Sequence, residues 1–322
     1  MIVAKTPLRI CFFGGGSDLP HYYDKKQGFC LSNTIDKYMY VSVCQTAMPG
    51  LKVVYNDVET VDNPRDIKHD RVREAFLEYG IDRGIEITSY AQIPTKGTGL
   101  GSSSTFTVGL VNALSTLKGI KLNRHDLAEK AFYIEFTKCK EYLGKQDQYA
   151  AAFGGMNAFY FNKDGVEVSP VCISSQSLQD LSNNLIMYYT GITRSASNIL
   201  KNYESGDRTD SLDRMVAIGH EALDALYQHN FDKFGDMLDQ TWREKRKLAS
   251  GISTPELDNK YSYAIDSGAL GGKILGAGGG GYFLFYVPKE RQSKFRDRMI
   301  SSNMQEFKFD LSDEGTKIVY AD

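Results

Sequence analysis

Residues 94–105 read P-T-K-G-T-G-L-G-S-S-S-T and set Gly97, Gly99 and Gly101 against Ser102, Ser103 and Ser104. Glycines let a chain turn several N–H groups toward one point with no Cβ in the way. A helix starting just after them adds unpaired N–H donors and the positive end of its dipole. Such a junction seats phosphate, and serine hydroxyls there can reach a phosphate oxygen or Mg2+. The other reading of the same residues is a flexible loop capped by serine. Walker A does not fit, because Lys96 precedes the last glycines instead of following them beside Ser or Thr. A dinucleotide-binding fingerprint does not fit either, because G-T-G-L-G lacks the two-residue gap.

Three more clusters carry chemistry. Residues 6–18, T-P-L-R-I-C-F-F-G-G-G-S-D, run an apolar strand into a glycine turn followed by Ser17 and Asp18. Arg9 lies inside that strand. A buried charge needs a partner, so Arg9 meets a carboxylate or phosphate, or else it sits at an edge in a surface ion pair. Residues 144–149, G-K-Q-D-Q-Y, follow Glu135. Lys145 and Asp147 there are a base with its electrostatic neighbour, or a solvated charged turn. Residues 273–281, K-I-L-G-A-G-G-G-G, place five glycines in six positions. A tight hairpin needs one or two, so either a ligand approaches the backbone closely or the hairpin is mobile.

The elements that must hold these clusters follow from periodicity. A strand over 84–93 leads into the first glycine loop, and Leu110, Ala113, Leu114 and Leu117 make a helix stripe ending at Gly119. Residues 2–13 read as a strand interrupted at Pro7, with further strands over 38–44 and 51–55. Val72, Ala75, Phe76 and Tyr79 form a helix closed by Gly80. Asn123 caps the next helix, and strands 158–161 and 166–171 pair around Asp164 and Gly165. The second half begins with a strand at 185–190, followed by helices over 211–229, 231–250 and 255–267. The last has Thr254 as cap, Pro255 at its first position and Gly268 at its end. Strands 272–275 and 282–287 flank the second glycine run, and a helix over 289–301 and a strand at 316–320 follow. Both halves mix helix and strand without regular βαβ alternation, which predicts an α+β fold. The polar stretch 174–184 marks the boundary between residues 1–178 and 179–322.

A chain of 322 residues is long for one core and favours two domains. With 42% hydrophobic residues and a net charge of −2, the composition is that of an ordinary globular protein. That balance argues against a broad nucleic-acid surface. Cys11, Cys30, Cys44, Cys139 and Cys172 form no C-x-x-C pair, which predicts reduced thiols and a cytoplasmic location. Lys5, Pro7 and Arg9 interrupt the first apolar run, so it does not read as a signal peptide. No stretch approaches a membrane span, and no membrane partner is expected.

Taken together, the four clusters resemble the GHMP kinases, the small-molecule kinases named for galactokinase, homoserine, mevalonate and phosphomevalonate kinases. Residues 6–18 match the first family motif (A-P-G-R-x-N-L-x-G-E-H-x-D), 94–105 the second (P-x-x-x-G-L-G-S-S-A) and 273–281 the third (K-x-x-G-A-G-x-G-G). Within the family the chain is most similar to the sugar-phosphate branch that acts on D-glycero-D-manno-heptose 7-phosphate. That likeness rests on residues 14–20, 99–106, 144–155, 189–197 and 271–281. Two departures stand out. Gly15 and Gly16 replace the Glu-His of galactokinase-like members, and four residues instead of three separate Pro94 from Gly99.

The resemblance implies a two-domain architecture: an N-terminal mixed α/β domain with the phosphate loop, then a ferredoxin-like C-terminal domain. It implies ATP and Mg2+ as cofactors and a sugar phosphate as partner, phosphorylated at the anomeric hydroxyl. Lys96, Gly97, Gly99, Leu100, Gly101, Ser102, Ser103 and Ser104 would hold the ATP phosphates, and Ser103 with Glu135 the metal. Asp147 would be the catalytic carboxylate, Arg9 would hold it ionised, and Lys145 would neutralise developing charge. Gly15, Gly16, Ser17, Asp18, Arg194, Lys273, Gly278 and Gly279 would meet the acceptor. An acceptor phosphate needs a cation, and Arg194, Lys245, Lys247 and Lys273 are the candidates, Arg194 first. Lys245 and Lys247 do not share a helix face, so at most one points inward. A sensor without activity, or a kinase of fucose, heptose 1-phosphate, mevalonate or homoserine, are the competing readings. A homodimer is left open.

Overall fold

The structure, a computed structural model, describes residues 1–93, 97–193 and 208–322. Lys96 and Arg194 lie outside the described residues.

Two long strands form the spine, β1 (Ile2–Phe13) and β2 (Gly28–Gln45), paired antiparallel. β1 alternates buried and half-buried at its start and is buried throughout from Thr6 onward. Pro7 does not break it. The proline pairs with Tyr38, and the register shifts between Pro7 and Arg9 instead, which is how a residue without an N–H is accommodated in a ladder. β2 begins at Gly28, ten positions before the expected start at Tyr38. Its first half carries Ser32, Asn33 and Thr34, polar residues that hid the strand but lie buried between β1 and β6 (Met156–Asn162).

The remaining strands of this sheet are β3 (Leu51–Val54), β4 (Val58–Val61), β5 (Ile85–Ala91) and β7 (Gly165–Pro170). A second sheet holds β8 (Leu185–Tyr189), β9 (Gly271–Ile274), β10 (Tyr282–Tyr286) and β11 (Gln305–Phe307). Two final strands, β12 (Leu311–Ser312) and β13 (Lys317–Ala321), return to the first sheet beside β2 and β1. Apart from these last strands, the two sheets are built from chain segments on either side of residues 171–184, and residue 178, the expected boundary, falls inside a helix, Ser175–Asn184. The first sheet has nine strands among the described residues: six in the path β13-β1-β2-β5-β3-β4, with β12 and β6 also pairing β2, and β7 pairing β6. The second runs β11-β8-β10-β9, all antiparallel, the strand order of a ferredoxin-like domain.

The helices are α1 (Pro20–Tyr23), α2 (Asp70–Glu78), α3 (Ser102–Leu117), α4 (Arg124–Phe132), α5 (Gln146–Phe153), α6 (Ser175–Asn184), α7 (Thr209–Tyr227), α8 (Phe231–Lys245), α9 (Pro255–Ser267) and α10 (Gln292–Met299). α3 packs on one side of β1 and β2, and α7 and α8 also pack against β1. That accounts for the strand's burial from Thr6 onward. The polar stretch expected to be a linker is α6, capped by Ser174 and burying Ser177 and Leu181. The helix expected to run to Ser250 ends at Lys245, and the one expected over 289–301 is α10 between two short 3-10 turns.

Candidate active site

The glycine loop ends on α3, whose cap is Gly101 at φ +75° with no side-chain capping bond. The first N–H groups of α3 therefore open onto a cleft of about 640 Å3. Gly99, at φ +76°, meets the second glycine run. A Cβ on Gly99 would lie 2.3 Å from the Leu275 carbonyl, and one on Gly276 would lie 2.5 Å from the Gly99 Cα. Both motifs keep glycine because their backbones touch.

Arg9 stands under this contact, 3% exposed. Its Nε donates to Asp147 Oδ1 at 2.8 Å, a second nitrogen approaches the same oxygen at 2.7 Å, and a third donates to the Gly99 carbonyl at 2.7 Å. Burial disfavours the guanidinium charge, and Asp147, with Cys11 and Asp18 adding to it, more than compensates, so its pKa stays above the ordinary value. Asp147 occupies the first turn of α5, where the helix dipole favours a carboxylate. Gln146 Nε2 donates to it at 3.1 Å.

Asp18 enters from the loop after β1. It accepts from the Gly16 N–H at 2.9 Å and the Gln146 N–H at 3.2 Å. Burial pushes its carboxyl up to about 6, with the neighbouring Asp147 charge adding to the rise. Gly144 is required beside it, since a Cβ there would lie 2.0 Å from Asp18 Oδ2.

Glu135 lies in a π-helical segment, Tyr133–Lys138, which follows α4 directly. Such segments often mark functional positions. Glu135 is fully buried: Oε1 accepts from Arg71 Nε at 2.8 Å and Thr107 Oγ1 at 2.9 Å, and Oε2 accepts from Gln148. Gln148 also donates to Ser104 Oγ at 3.1 Å, and Thr107 to the Ser103 carbonyl at 3.2 Å. Glu135 is thereby tied to the first turns of α3. The same Arg71 binds Glu141, and of the two carboxylates Glu141 is the one on the cleft wall.

The cleft wall brings together Arg9, Gly15, Gly16, Asp18, Gly97, Gly99, Gly101, Ser102, Ser103, Ser104, Asp147 and Lys273. Other expected positions stand elsewhere. Leu100 is in the apolar core, its carbonyl accepting from the Arg9 N–H. Ser17 bonds the Gly14 and Phe29 carbonyls. Lys145 turns to Glu129 at 2.7 Å, its ammonium 5.2 Å from the centre of the Phe132 ring. Gly278 packs on Ile252, and the Gly279 N–H donates to the Ile252 carbonyl. Lys245 points inward while Lys247 pairs with Glu244 at the surface. Arg71 and Cys11 line the cleft unannounced. An arginine early in an amphipathic helix carries no signal that distinguishes it from a solvated one.

Residues 68–155 match the GHMP kinases N terminal domain and residues 222–306 the GHMP kinases C terminal. The chain belongs to the GHMP kinase family: an ATP-dependent phosphotransferase with an alcohol group as acceptor. It is 31% identical over 340 residues to D-glycero-alpha-D-manno-heptose 7-phosphate kinase of Campylobacter jejuni, covering 98% of each chain. It is 26% identical over 349 residues to L-fucokinase/L-fucose-1-P guanylyltransferase of Bacteroides fragilis, covering 93% of this chain and 36% of that one. Among solved structures, a D-glycero-D-manno-heptose 1-phosphate kinase from Bacteroides thetaiotaomicron matches over the full length of both chains, with a TM-score of 0.81 at 23% identity. At that identity the likeness speaks for the fold. Among the described residues no helix is long and apolar enough to cross a membrane.

Proposed function

We propose that this chain transfers the γ-phosphoryl group of ATP to the anomeric hydroxyl of D-glycero-D-manno-heptose 7-phosphate, giving the 1,7-bisphosphate. The acceptor rests on the name of the relative at 31% identity. The chemistry rests on one observation: the Arg9–Asp147 pair shares a cleft wall with the open N-terminus of α3.

In this reading the N–H groups of residues 97–104 hold the nucleotide's phosphates. Asp147 accepts the proton of the acceptor hydroxyl as its oxygen bonds to the γ-phosphorus and the bond to the departing ADP breaks. Arg9 holds Asp147 pointed at the hydroxyl through its two bonds to one carboxylate oxygen, and it balances charge on the group in transit. Asp18, beside Gly15 and Gly16, accepts from the sugar's other hydroxyls. Ser103, Glu135 and Glu141 offer hard oxygen donors, the set that Mg2+ takes. Glu135 lies buried behind the wall with both oxygens engaged by Arg71, Thr107 and Gln148, so Ser103 and Glu141, which line the cleft, are the donors that would hold that ion, which when bound neutralises charge on the phosphates.

ADP release with Mg-ATP tests the acceptor across heptose 7-phosphate, heptose 1-phosphate, mannose 6-phosphate, galactose, fucose, mevalonate and homoserine. Turnover with heptose 7-phosphate above all others is expected. Turnover confined to an unphosphorylated acceptor would keep the kinase and discard this acceptor.

A further inference from the structure

Lys245 and Lys273 are two ammonium groups almost wholly removed from water, 4% and 2% exposed, on the wall of the cleft. Among the described residues, Lys245 Nζ donates to the carbonyls of Ile274 at 3.0 Å and of Gly276. Lys273 Nζ donates to those of Cys11 at 3.0 Å and Phe12 at 2.7 Å. No carboxylate is among these partners. Carbonyl dipoles orient an ammonium but bring no counter-charge, and an ammonium has three donors. Two donors of each lysine are therefore engaged and one is left.

Arg9 is a third cation on the same wall, and Asp147 already matches its charge. Cys11 beside the lysines, its thiol drawn down to about 5 chiefly by its hydrogen bond with Cys30, offers one counter-charge for two ammonium groups, so holding both lysines charged is expensive unless a further anion completes the cluster. The position says which anion. Lys273 grips the end of β1 just before the Gly15–Gly16 turn, and Lys245 grips Gly276, which packs on Gly99. The nucleotide's phosphates already have the glycine loop and the start of α3. A second phosphate has this pair.

We propose that Lys245, with Lys273 behind it, is the subsite for the acceptor's own phosphate group and sets the preference for a phosphorylated sugar. This rests on the acceptor reading above. The groups facing Lys245 are Lys273 on β9 and Cys11 and Arg9 on β1; Cys30 on β2 adds to those around Lys273. Burial lowers both ammonium pKa values; repulsion from Lys273 and Arg9 adds to the fall at Lys245, which goes far below its usual range, while the Cys11 and Cys30 thiols offset part of it at Lys273. A dianion arriving beside them restores the charged form, so binding takes up protons.

The test has two arms. In steady-state kinetics, Lys245→Met raises KM for heptose 7-phosphate roughly ten- to hundredfold, as loss of a charge-assisted hydrogen bond does. KM for ATP stays within about twofold, and Lys245→Arg recovers part of the loss. An unchanged acceptor KM in folded Lys245→Met, or a fall in kcat alone, overturns the proposal. The second arm is calorimetry with inorganic phosphate, with a non-hydrolysable ATP analogue saturating the nucleotide side, in two buffers of different ionisation enthalpy. Wild type takes up protons on binding and Lys245→Met does not. Wild type that binds no phosphate, or a variant that binds it equally with the same uptake, overturns the subsite. This arm needs no sugar, so it separates failure of the subsite from failure of the acceptor reading.

Discussion

Arg9 and Asp147, 138 positions apart in sequence, share one oxygen through two guanidinium nitrogens at 2.8 and 2.7 Å. The third nitrogen of Arg9 binds the Gly99 carbonyl. One planar fork therefore sets the distance between a carboxylate and the first glycine loop. Lysine, with a point charge on a flexible stem, cannot hold both.

Arg71 does comparable work for Glu135. Replacing it with methionine leaves a fully buried carboxylate with Thr107 and Gln148 but no cation. Breaking such a pair from one side costs about 3–5 kcal/mol. Urea unfolding of Arg71→Met should show that loss, and Arg71→Met combined with Glu135→Gln should regain part of it. A loss under about 1 kcal/mol in the single variant would show that Glu135 does not depend on Arg71.

Asp18 gives a pH signature. Its carboxyl titrates at about 6 in the fold, burial being the main cause, and near 4 in the unfolded chain. Below both values the group is protonated in either state and contributes nothing. As pH rises from about 4 to 6 the unfolded chain ionises first, so the native state loses stability. The loss reaches roughly 2–3 kcal/mol by pH 7. Asp18→Asn removes it, while its own lost hydrogen bond is independent of pH. Wild-type stability relative to Asp18→Asn should therefore fall between pH 4 and 7. Parallel unfolding curves across that range would rule this out.

Gly99 and Gly276 are two sides of one contact. Alanine at either has φ near +76° or +66° and a Cβ inside the opposing backbone, a strain of about 1–3 kcal/mol. Each variant should lower the thermal midpoint and raise KM for ATP. Because the same backbone contact yields in both, the double variant should cost clearly less than the sum. Strict additivity would mean that the loops do not depend on each other.

Much of this was legible in the residues. Thr254, Pro255 and Gly268 bracket α9 as expected, the Thr254 side chain accepting from the Leu257 N–H at 3.3 Å. Asn123 caps α4 in the same way. The glycine runs and Arg9 announced themselves because glycine density and a charge in an apolar strand are hard to explain otherwise. α6 escaped because a helix of Ser, Gln, Asp and Asn with one buried leucine has almost no stripe to read. Lys145 and Asp147 looked like partners, yet residues two apart on a helix point to different sides, and Lys145 goes to Glu129. Lys245 opens a basic run, K-R-K, at a helix end. That pattern reads as solvated, and tertiary packing of α8 against β9 decides otherwise.

The central claim is that Asp147, held by Arg9, directs a sugar hydroxyl onto the γ-phosphate of ATP. The most direct test is phosphorus NMR of the reaction with heptose 7-phosphate, following wild type and Asp147→Asn side by side. In wild type a new phosphomonoester signal coupled to the anomeric proton should grow as ADP appears. In folded Asp147→Asn its rate should fall on the order of a hundredfold or more. Full activity in that variant, or a new phosphate on another carbon, would contradict the account.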